Sequence, residues 1–261
     1  MIFCSLFSGS SGNSIFIATK NTKILIDAGL PGKTIEKALC DIGQDVNMLD
    51  AIFVTHEHID HTKGVGVLSR KYDIPVYANE PTWNAMEGII GKVSEHNIKC
   101  IADKYVTIKD IDVQNYRTSH DAACSVGYSI YEGRKKACIA TDLGYFSDDV
   151  KRSITDADIL LLESNHDVEM LKVGPYPYSL KMRILSNIGH LSNDACGNAI
   201  ISILNDKHKR IVLGHLSKTN NYPDLAYQTV INILNENKVK LNKDVTLTLA
   251  KRDMPSSYIE F

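Results

Sequence analysis

The chain has 261 residues, of which 44% are hydrophobic, and 29 Lys and Arg stand against 31 Asp and Glu. This length and composition suit an α/β protein that buries a full core. The near balance of charge excludes a strongly basic coat for nucleic acid, so any site for a polyanion must be local.

Hydrophobic periodicity predicts short strands and helices along the whole chain. In chain order, the first half contains strands at 2–7, 14–19 and 23–27, a helix at 32–43, a strand at 51–54, a helix at 63–72, a strand at 75–78, a helix at 81–90, and strands at 104–108, 111–118 and 125–131. The second half contains a strand at 136–141, a helix at 147–154, a strand at 159–162, helices at 177–187 and 193–205, a strand at 210–213, a helix at 223–237 and a strand at 245–249.

This order of elements fits two sheets packed face to face with helices outside, a four-layer αββα sandwich. We expect residues 1–261 to form a single domain, because the chain contains no low-complexity linker and no fixed-period repeat. Ser147 and Ser192 are predicted N-cap residues of the helices that follow them. Periodicity alone does not select this arrangement over another α/β fold.

One short loop carries most of the chemistry that the sequence shows. It follows the apolar strand at 51–54 and contains His56, His58, Asp60 and His61. Imidazole nitrogens and carboxylates are ligands of divalent first-row metals. His56 and His58 can converge on one ion, while Asp60 and His61 point to a second place. A loop that feeds two neighbouring metal sites indicates a hydrolytic centre.

Three further candidate ligands each follow a predicted strand. His120 comes after the strand at 111–118, Asp142 after the strand at 136–141, and His215 after the strand at 210–213. Because the end of a buried strand is rigid, a ligand there is held within the tolerance that a metal requires. The sequence therefore predicts a cluster of these strand ends beside the first loop.

The H-x-H-x-D-H loop, followed by His, Asp and His at separate strand ends, resembles the metallo-β-lactamase fold superfamily over nearly the whole chain. The resemblance implies that one ion is held by His56, His58 and His120, that the other is held by Asp60, His61 and His215, and that Asp142 bridges them. Asp27 stands where the superfamily has an aspartate that braces the ligand loop. We therefore expect Asp27 to orient ligands without touching metal.

A further histidine lies just before the predicted helix at 193–205. A helix start explains Ser192 and Asp194 but gives no role to His190. In the phosphodiesterase branch of the superfamily, which includes the tRNA 3′-processing nucleases, a histidine at this place is catalytic and pairs with an acidic residue. Glu163 occupies the matching position after the strand at 159–162, and such a pair is a good proton donor. The predicted catalytic residues are Asp60, which is also a ligand, His190 and Glu163.

Five segments, at 7–14, 162–167, 174–178, 189–193 and 214–221, resemble the YycJ/WalJ family of bacterial nucleases, and the resemblance runs from end to end. It implies a cytoplasmic, metal-dependent 5′-to-3′ exonuclease that acts on DNA. From the metal chemistry we expect the attacking group to be a hydroxide that bridges two metals. Neither the polarity nor the preference for DNA over RNA follows from the residues alone. Asn13, Lys181, Arg183 and Lys218 are weaker candidates for phosphate contacts. The loop at 8–14 is either a phosphate-binding loop or a plain strand–strand turn.

Other hydrolases of the same fold are the main alternatives. An RNA-processing or tRNA-processing nuclease shares the ligands, and a thioesterase or lactonase shares them without needing His190 and Glu163. The 73 positions between Asp142 and His215 leave no room for the extra domain of β-CASP nucleases. The carboxylate of Asp142 replaces the cysteine of zinc β-lactamases, which argues against that chemistry. Ligands without a thiolate suit two Mn²⁺ or Zn²⁺ ions, and Fe²⁺ is compatible.

The sequence also bears on location and partners. No apolar run approaches the roughly 18 residues of a transmembrane helix, and the N-terminus has no positive region of the kind that begins a signal peptide. Six scattered cysteines without a C-x-x-C pair indicate free thiols. We expect a cytoplasmic protein with a nucleic-acid substrate, no membrane partner, and a homodimer as one compatible oligomeric state.

Overall fold

The structure is a computed structural model that describes residues 1–101 and 105–261. The first six strands along the chain belong to one sheet; they are β1 (Ile2–Phe7), β2 (Ser14–Ala18), β3 (Lys23–Ile26), β4 (Ala51–Phe53), β5 (Val76–Ala78) and β6 (Ile98–Cys100). The next seven form a second sheet; they are β7 (Val106–Ile108), β8 (Ile111–Arg117), β9 (Val126–Glu132), β10 (Lys135–Ala140), β11 (Ile159–Glu163), β12 (Lys209–Gly214) and β13 (Val245–Leu249). The last strand, β14 (Ile259–Glu260), returns to the first sheet and pairs with β1.

Helices cover the outer faces of both sheets. Within the described residues they are α1 (Gly32–Asp41), α2 (Ile59–Thr62), α3 (Val65–Tyr72), α4 (Glu80–Met86), α5 (Asp148–Ile154), α6 (Val168–Val173), α7 (Tyr178–Ile184), α8 (Asn193–Ser202) and α9 (Pro223–Glu236), with 3-10 turns at Val46–Met48 and Glu95–Asn97. No helix among residues 1–101 and 105–261 is both long and apolar enough to cross a membrane.

Three apolar layers hold the two sheets and their helices together. The middle layer lies between the sheets and contains Phe3, Phe53 and Tyr128. One outer layer packs α1, α3 and α4 on the first sheet, and the other packs α5, α8 and α9 on the second. The predicted four-layer αββα sandwich is therefore confirmed.

Strand direction explains why the predicted ligands meet at one edge. β3 and β4 are parallel, and so are β10, β11, β12 and β13, so the carboxyl ends within each set lie side by side. β8 is antiparallel to β9, which is antiparallel to β10, so β8 ends at the same edge as β10. Each predicted ligand outside the first loop follows one of these ends.

Most predicted elements are present, and the differences concern short segments. The predicted helix at 63–72 begins as α3 at Val65, after the separate one-turn helix α2 that contains Asp60 and His61. The sequence did not predict β6, β14, α2 or α6, which have three, two, four and six residues. Residue 104, the predicted start of the strand at 104–108, lies outside the described residues.

Both predicted N-caps are confirmed. Ser147 Oγ accepts the Val150 N–H at 3.2 Å, and Ser192 Oγ accepts the Ala195 N–H at 3.2 Å. Each hydroxyl satisfies one of the amide donors that the first helical turn leaves free.

Ser147→Ala should lower the free energy of unfolding by about 1 kcal/mol, because α5 then loses the acceptor for an amide of its first turn. Chemical denaturation of the variant and the wild type measures the difference. Ser153→Ala, the same substitution inside α5, is the matched control and should change stability by less than about 0.5 kcal/mol. Equal effects at both positions would contradict the capping role of Ser147.

Candidate metal centre

Seven side chains that the sequence singled out meet at the shared edge. Potential ligand atoms lie within 4.8 Å of one another in the sets His56, His58 and His120; Asp60, His61 and His215; and His56, His61 and Asp142. The first two sets are the two triads that the sequence predicted for separate ions. Asp142 lies between them, since its carboxylate oxygens are 3.4 Å from His61 Nε2, 3.6 Å from His120 Nε2 and 3.6 Å from His215 Nδ1.

Asp27 and Thr55 fix the rings of the ligand loop. Asp27 Oδ2 lies 2.7 Å from His61 Nδ1 and accepts the Thr55 hydroxyl at 2.8 Å, while Asp27 Oδ1 accepts the Thr55 N–H at 2.8 Å. Thr55 Oγ1 in turn lies 3.0 Å from His56 Nδ1. A proton on each Nδ1 leaves the Nε2 lone pairs of His56 and His61 free for a cation. No role for Thr55 was predicted from the sequence, although Thr55 directly precedes the loop.

His120 and His58 complete the first triad through different ring atoms. His120 Nδ1 donates to the Gly189 carbonyl at 3.0 Å, which leaves His120 Nε2 facing the cluster. His58 presents Nδ1, which lies 3.1 Å from His56 Nε2. Glu57, between the two loop histidines, accepts the Ala123 N–H at 2.7 Å and so ties the loop to the segment after His120.

Glu163 is shared by two histidines. Its Oε1 lies 2.8 Å from His190 Nδ1 and 2.8 Å from His215 Nδ1. Its Oε2 accepts the Leu143 N–H at 2.7 Å and the Leu191 N–H at 3.1 Å. The sequence predicted the pairing with His190 but not the one with His215. One buried carboxylate therefore orients both the candidate proton donor and a candidate ligand.

Three of the strand-end residues adopt left-handed backbone conformations. The φ angles are 61° at Asp27, 60° at Asp142 and 54° at His215. This region is uncommon for residues other than glycine. The backbone strain there persists only where surrounding interactions hold the conformation. At His215 the support is visible, because its N–H donates to Ser8 Oγ at 2.8 Å and its carbonyl accepts from Asn165 Nδ2 at 2.9 Å.

A buried polar network holds the downstream segments in place. Asn165 N donates to the Leu191 carbonyl at 2.8 Å, so the segment that contains His190 runs beside the one that follows β11. Asn221 Nδ2 donates to the Ser164 carbonyl at 2.9 Å and to Asn193 Oδ1 at 2.9 Å. These residues lie in segments that resembled the YycJ/WalJ family, but the sequence alone gave them no individual role.

The charge of the site favours cations. Burial raises the pKa of the Asp142 carboxyl, but the surrounding histidines hold it well below its usual range. Burial likewise disfavours a charged His61 ring, yet the carboxylates of Asp27, Asp142 and Asp60 raise the pKa of His61 to about 9. Burial raises the pKa of Glu163, but His190 and His215 lower it to about 2. Ionised carboxylates at this depth require positive charge beside them.

The donor atoms fit divalent cations. Asp142 Oδ2 and His215 Nε2 are buried and have no hydrogen-bond partner among the described residues. His215 Nε2 is 3.7 Å from Asp60 Oδ2, which is too long for a hydrogen bond. Unpaired imidazole and carboxylate atoms that face a common centre are a metal-ligand arrangement, and the lack of thiolates suits Zn²⁺, Mn²⁺ or Fe²⁺.

The four weaker phosphate candidates are placed differently. Asn13 lies at the centre, with Nδ2 3.1 Å from His61 Nε2 and Oδ1 accepting the Gly9 N–H at 2.9 Å. Lys218 is exposed just after β12. Arg183 donates to Asp121, and Lys181 Nζ donates to the Lys172 carbonyl at 2.7 Å. The structure thus places Asn13 among the candidate ligands, whereas Lys181 and Arg183 make contacts within the protein.

Comparison with known proteins agrees with this geometry. The chain matches the metallo-beta-lactamase superfamily over residues 8–215. It is 45% identical to the exodeoxyribonuclease YycJ of Bacillus anthracis over 236 residues, which cover 90% of this chain and 89% of that protein. It is 47% identical to the exodeoxyribonuclease WalJ of Streptococcus pneumoniae over 233 residues, which cover 88% and 86%.

A solved structure supports the fold independently. The metallo-beta-lactamase fold protein YhfI from Bacillus subtilis superposes with a TM-score of 0.70 at 15% identity, covering 98% of both chains. Fold, site and comparisons together define a metal-dependent hydrolase. Within the metallo-β-lactamase superfamily the chain belongs to the YycJ/WalJ family, and it is a metal-dependent nuclease.

Proposed function

We propose that this nuclease is a 5′-to-3′ exonuclease that acts on DNA in the cytoplasm. The observation that carries the phosphodiester chemistry is the His190–Glu163 pair, with 2.8 Å between Nδ1 and Oε1 beside the seven-residue cluster. Cleavage of a P–O bond leaves an alkoxide, which requires a proton. The names of the two relatives support DNA over RNA, and the polarity rests on the family resemblance.

The cluster would hold two divalent cations, Mn²⁺ or Zn²⁺. The proposed ligands of one are His56, His58 and His120; those of the other are Asp60, His61 and His215; and Asp142 is shared. When bound, such ions lower the pKa of water and neutralise charge on a phosphate. Asp27 and Thr55 contribute by holding the rings in one tautomer and one orientation.

The proposed proton donor is His190. Because Glu163 accepts from Nδ1, the proton available to a leaving group sits on Nε2. The His190 side chain is 17% exposed whereas Glu163 is fully buried, so the ring can meet a substrate while its partner stays shielded. The His190 ring lies between those of His120 and His215, with centroids 5.0 Å and 5.3 Å away. The donor therefore stands beside both triads.

Asp60 is the proposed acceptor of the proton released by the attacking water. Its side chain is 24% exposed, whereas that of Asp142 is 3% exposed. Asp60 Oδ2 lies 3.6 Å from His61 Nε2 and 3.7 Å from His215 Nε2, so it reaches the centre from the open side. A carboxylate that is both near the ligands and open to solvent can accept a proton and release it.

Digestion of end-labelled polymers tests this proposal. Single-stranded DNA and RNA of one sequence, labelled at the 5′ or the 3′ end, are incubated with protein loaded with Mn²⁺ or Zn²⁺. We expect release of the 5′ label as a mononucleotide from the start of the reaction, and faster degradation of DNA. Release of the 3′ label first would overturn the polarity, and faster RNA degradation would overturn the substrate.

A chromogenic thioester and a chromogenic phosphodiester separate the nuclease from the other hydrolases of this fold. We expect turnover of the phosphodiester by the metal-loaded protein and none of the thioester above the rate of the metal-free protein. Preference for the thioester would show that the pairing of His190 with Glu163 serves another reaction.

A further inference from the structure

A groove of about 560 Å³ opens beside the metal centre. Its walls are the loop after β1, the segment after β12, and the segment that follows β13 up to Met254. Three cationic side chains, Lys218, Lys251 and Arg252, line it together with one carboxylate, Asp253. The whole chain carries a formal net charge of −2, so this local excess of positive charge departs from the average surface.

Hydrogen bonds link one wall of the groove to the candidate metal centre. Ser8, which lines it, accepts the His215 N–H through Oγ at 2.8 Å and donates its own N–H to the Lys251 carbonyl at 3.1 Å. Gly9 donates its N–H to Asn13 Oδ1, and Asn13 Nδ2 lies 3.1 Å from His61 Nε2.

Arg252 has an unused donor at this wall. Its Nη2 donates to the Leu216 carbonyl, but its Nη1 is buried and has no hydrogen-bond partner among the described residues. The guanidinium packs so closely on Gly9 that a Cβ there would lie 2.6 Å from Nη1. A charged N–H that is buried and unpaired is costly, and a guanidinium group is a strong donor to phosphate oxygens.

An aromatic ring completes the lining. Tyr222 borders the groove and is 52% exposed. Basic side chains interleaved with an exposed aromatic are the features by which proteins hold single strands, since the cations follow the phosphates and the ring stacks on a base.

We infer that this groove binds the backbone of the nucleic-acid strand next to the scissile bond, with Arg252 and Lys218 on its phosphates and Tyr222 against a base. This inference rests on the proposed nuclease function and adds the residues that hold the strand outside the centre. It also places Lys218, a weak candidate for a phosphate contact from the sequence, in the same groove as Arg252 and Tyr222.

The test measures binding apart from cleavage. The probe is a fluorescently labelled single-stranded 20-nucleotide phosphorothioate DNA, which keeps the backbone charges and resists hydrolysis, and its Kd for the metal-loaded protein is measured by anisotropy at several salt concentrations. Arg252→Gln and Lys218→Gln should each raise Kd about tenfold and lower the slope of log Kd against log salt by about 1, because each removes one phosphate contact.

Lys243→Gln is the matched control. Lys243 is exposed before β13, near the start of β12 and thus at the opposite end of the sheet from the metal centre, and its substitution should change Kd less than twofold. Lys218→Gln keeps the test decisive if Arg252→Gln fails to fold, because Lys218 is exposed.

Unchanged Kd values and salt slopes in the folded groove variants would overturn the inference. An equal loss in the control variant would do so too. Hydrolysis of the unmodified 20-nucleotide DNA by the wild type is measured separately, and failure there would count against the proposed function whatever the binding result.

Discussion

Replacement of Asp142 by alanine is expected to remove metal and activity together. The carboxylate lies between the two triads, and its oxygens are within 3.4–3.6 Å of nitrogen atoms of His61, His120 and His215. Its loss removes one buried negative charge from beside these histidines and would leave the two proposed ions without a shared ligand. Residues that only orient ligands already affect metal affinity by about 10- to 100-fold. We therefore expect Asp142→Ala to lower the metal affinity by at least about 100-fold.

Metal analysis by mass spectrometry and nuclease assays on the same protein samples measure this effect. Turnover should fall by about three orders of magnitude or more, because the ions supply several kcal/mol of charge stabilisation. Asp148→Ala, at an exposed carboxylate in the first turn of α5, is the control and should keep both properties. Two ions per chain in the Asp142→Ala protein would exclude the bridging role.

The positions of the candidate ligands could be predicted because each depends on local information. A histidine or an aspartate directly after an apolar strand is visible in the sequence, and parallel strands carry their carboxyl ends to one edge. The positions of Asp142 and His215 follow from this rule alone. The pairing of His190 with Glu163, by contrast, could be predicted only from resemblance to a known branch of the superfamily.

The second hydrogen bond of Glu163 could not be predicted in either way. It requires that Glu163 on β11 lies opposite Gly214 on β12, and that His215 then turns back with φ 54°. Strand register and a left-handed residue are products of tertiary packing rather than of local sequence. The same applies to α2 and β14, which are too short to show a period.

Long side chains were the least predictable part of the site. Arg183 and Lys181 were candidates for phosphate contacts, but each donates a hydrogen bond to an acceptor within the protein. Arg252, which the sequence did not single out, is brought to the groove by the chain segment after β13. Arg252 and Gly9 are in contact although most of the chain separates them in sequence, so no local pattern could indicate this contact.

His190→Ala is expected to lower turnover of DNA by about 10²- to 10⁴-fold, the range for loss of a general acid, and to leave the metal content intact. The His190 side chain is outside both triads, and its ring is held by Glu163 Oε1 at 2.8 Å. Glu163→Gln should behave differently, because the same carboxylate oxygen also orients His215. That variant should lose metal affinity as well as turnover, which separates the shared carboxylate from the histidine that it holds.

The leaving group decides what His190 contributes. With bis(p-nitrophenyl) phosphate, the departing phenolate needs no proton, so a general acid is dispensable and His190→Ala should lose far less activity than it does on DNA. An equal loss on both substrates would show that His190 holds the phosphate instead of donating a proton. His96→Ala, at an exposed histidine that pairs with Asp73, is the control and should leave both rates unchanged. Full DNA turnover by folded, metal-loaded His190→Ala would exclude any catalytic role for this residue.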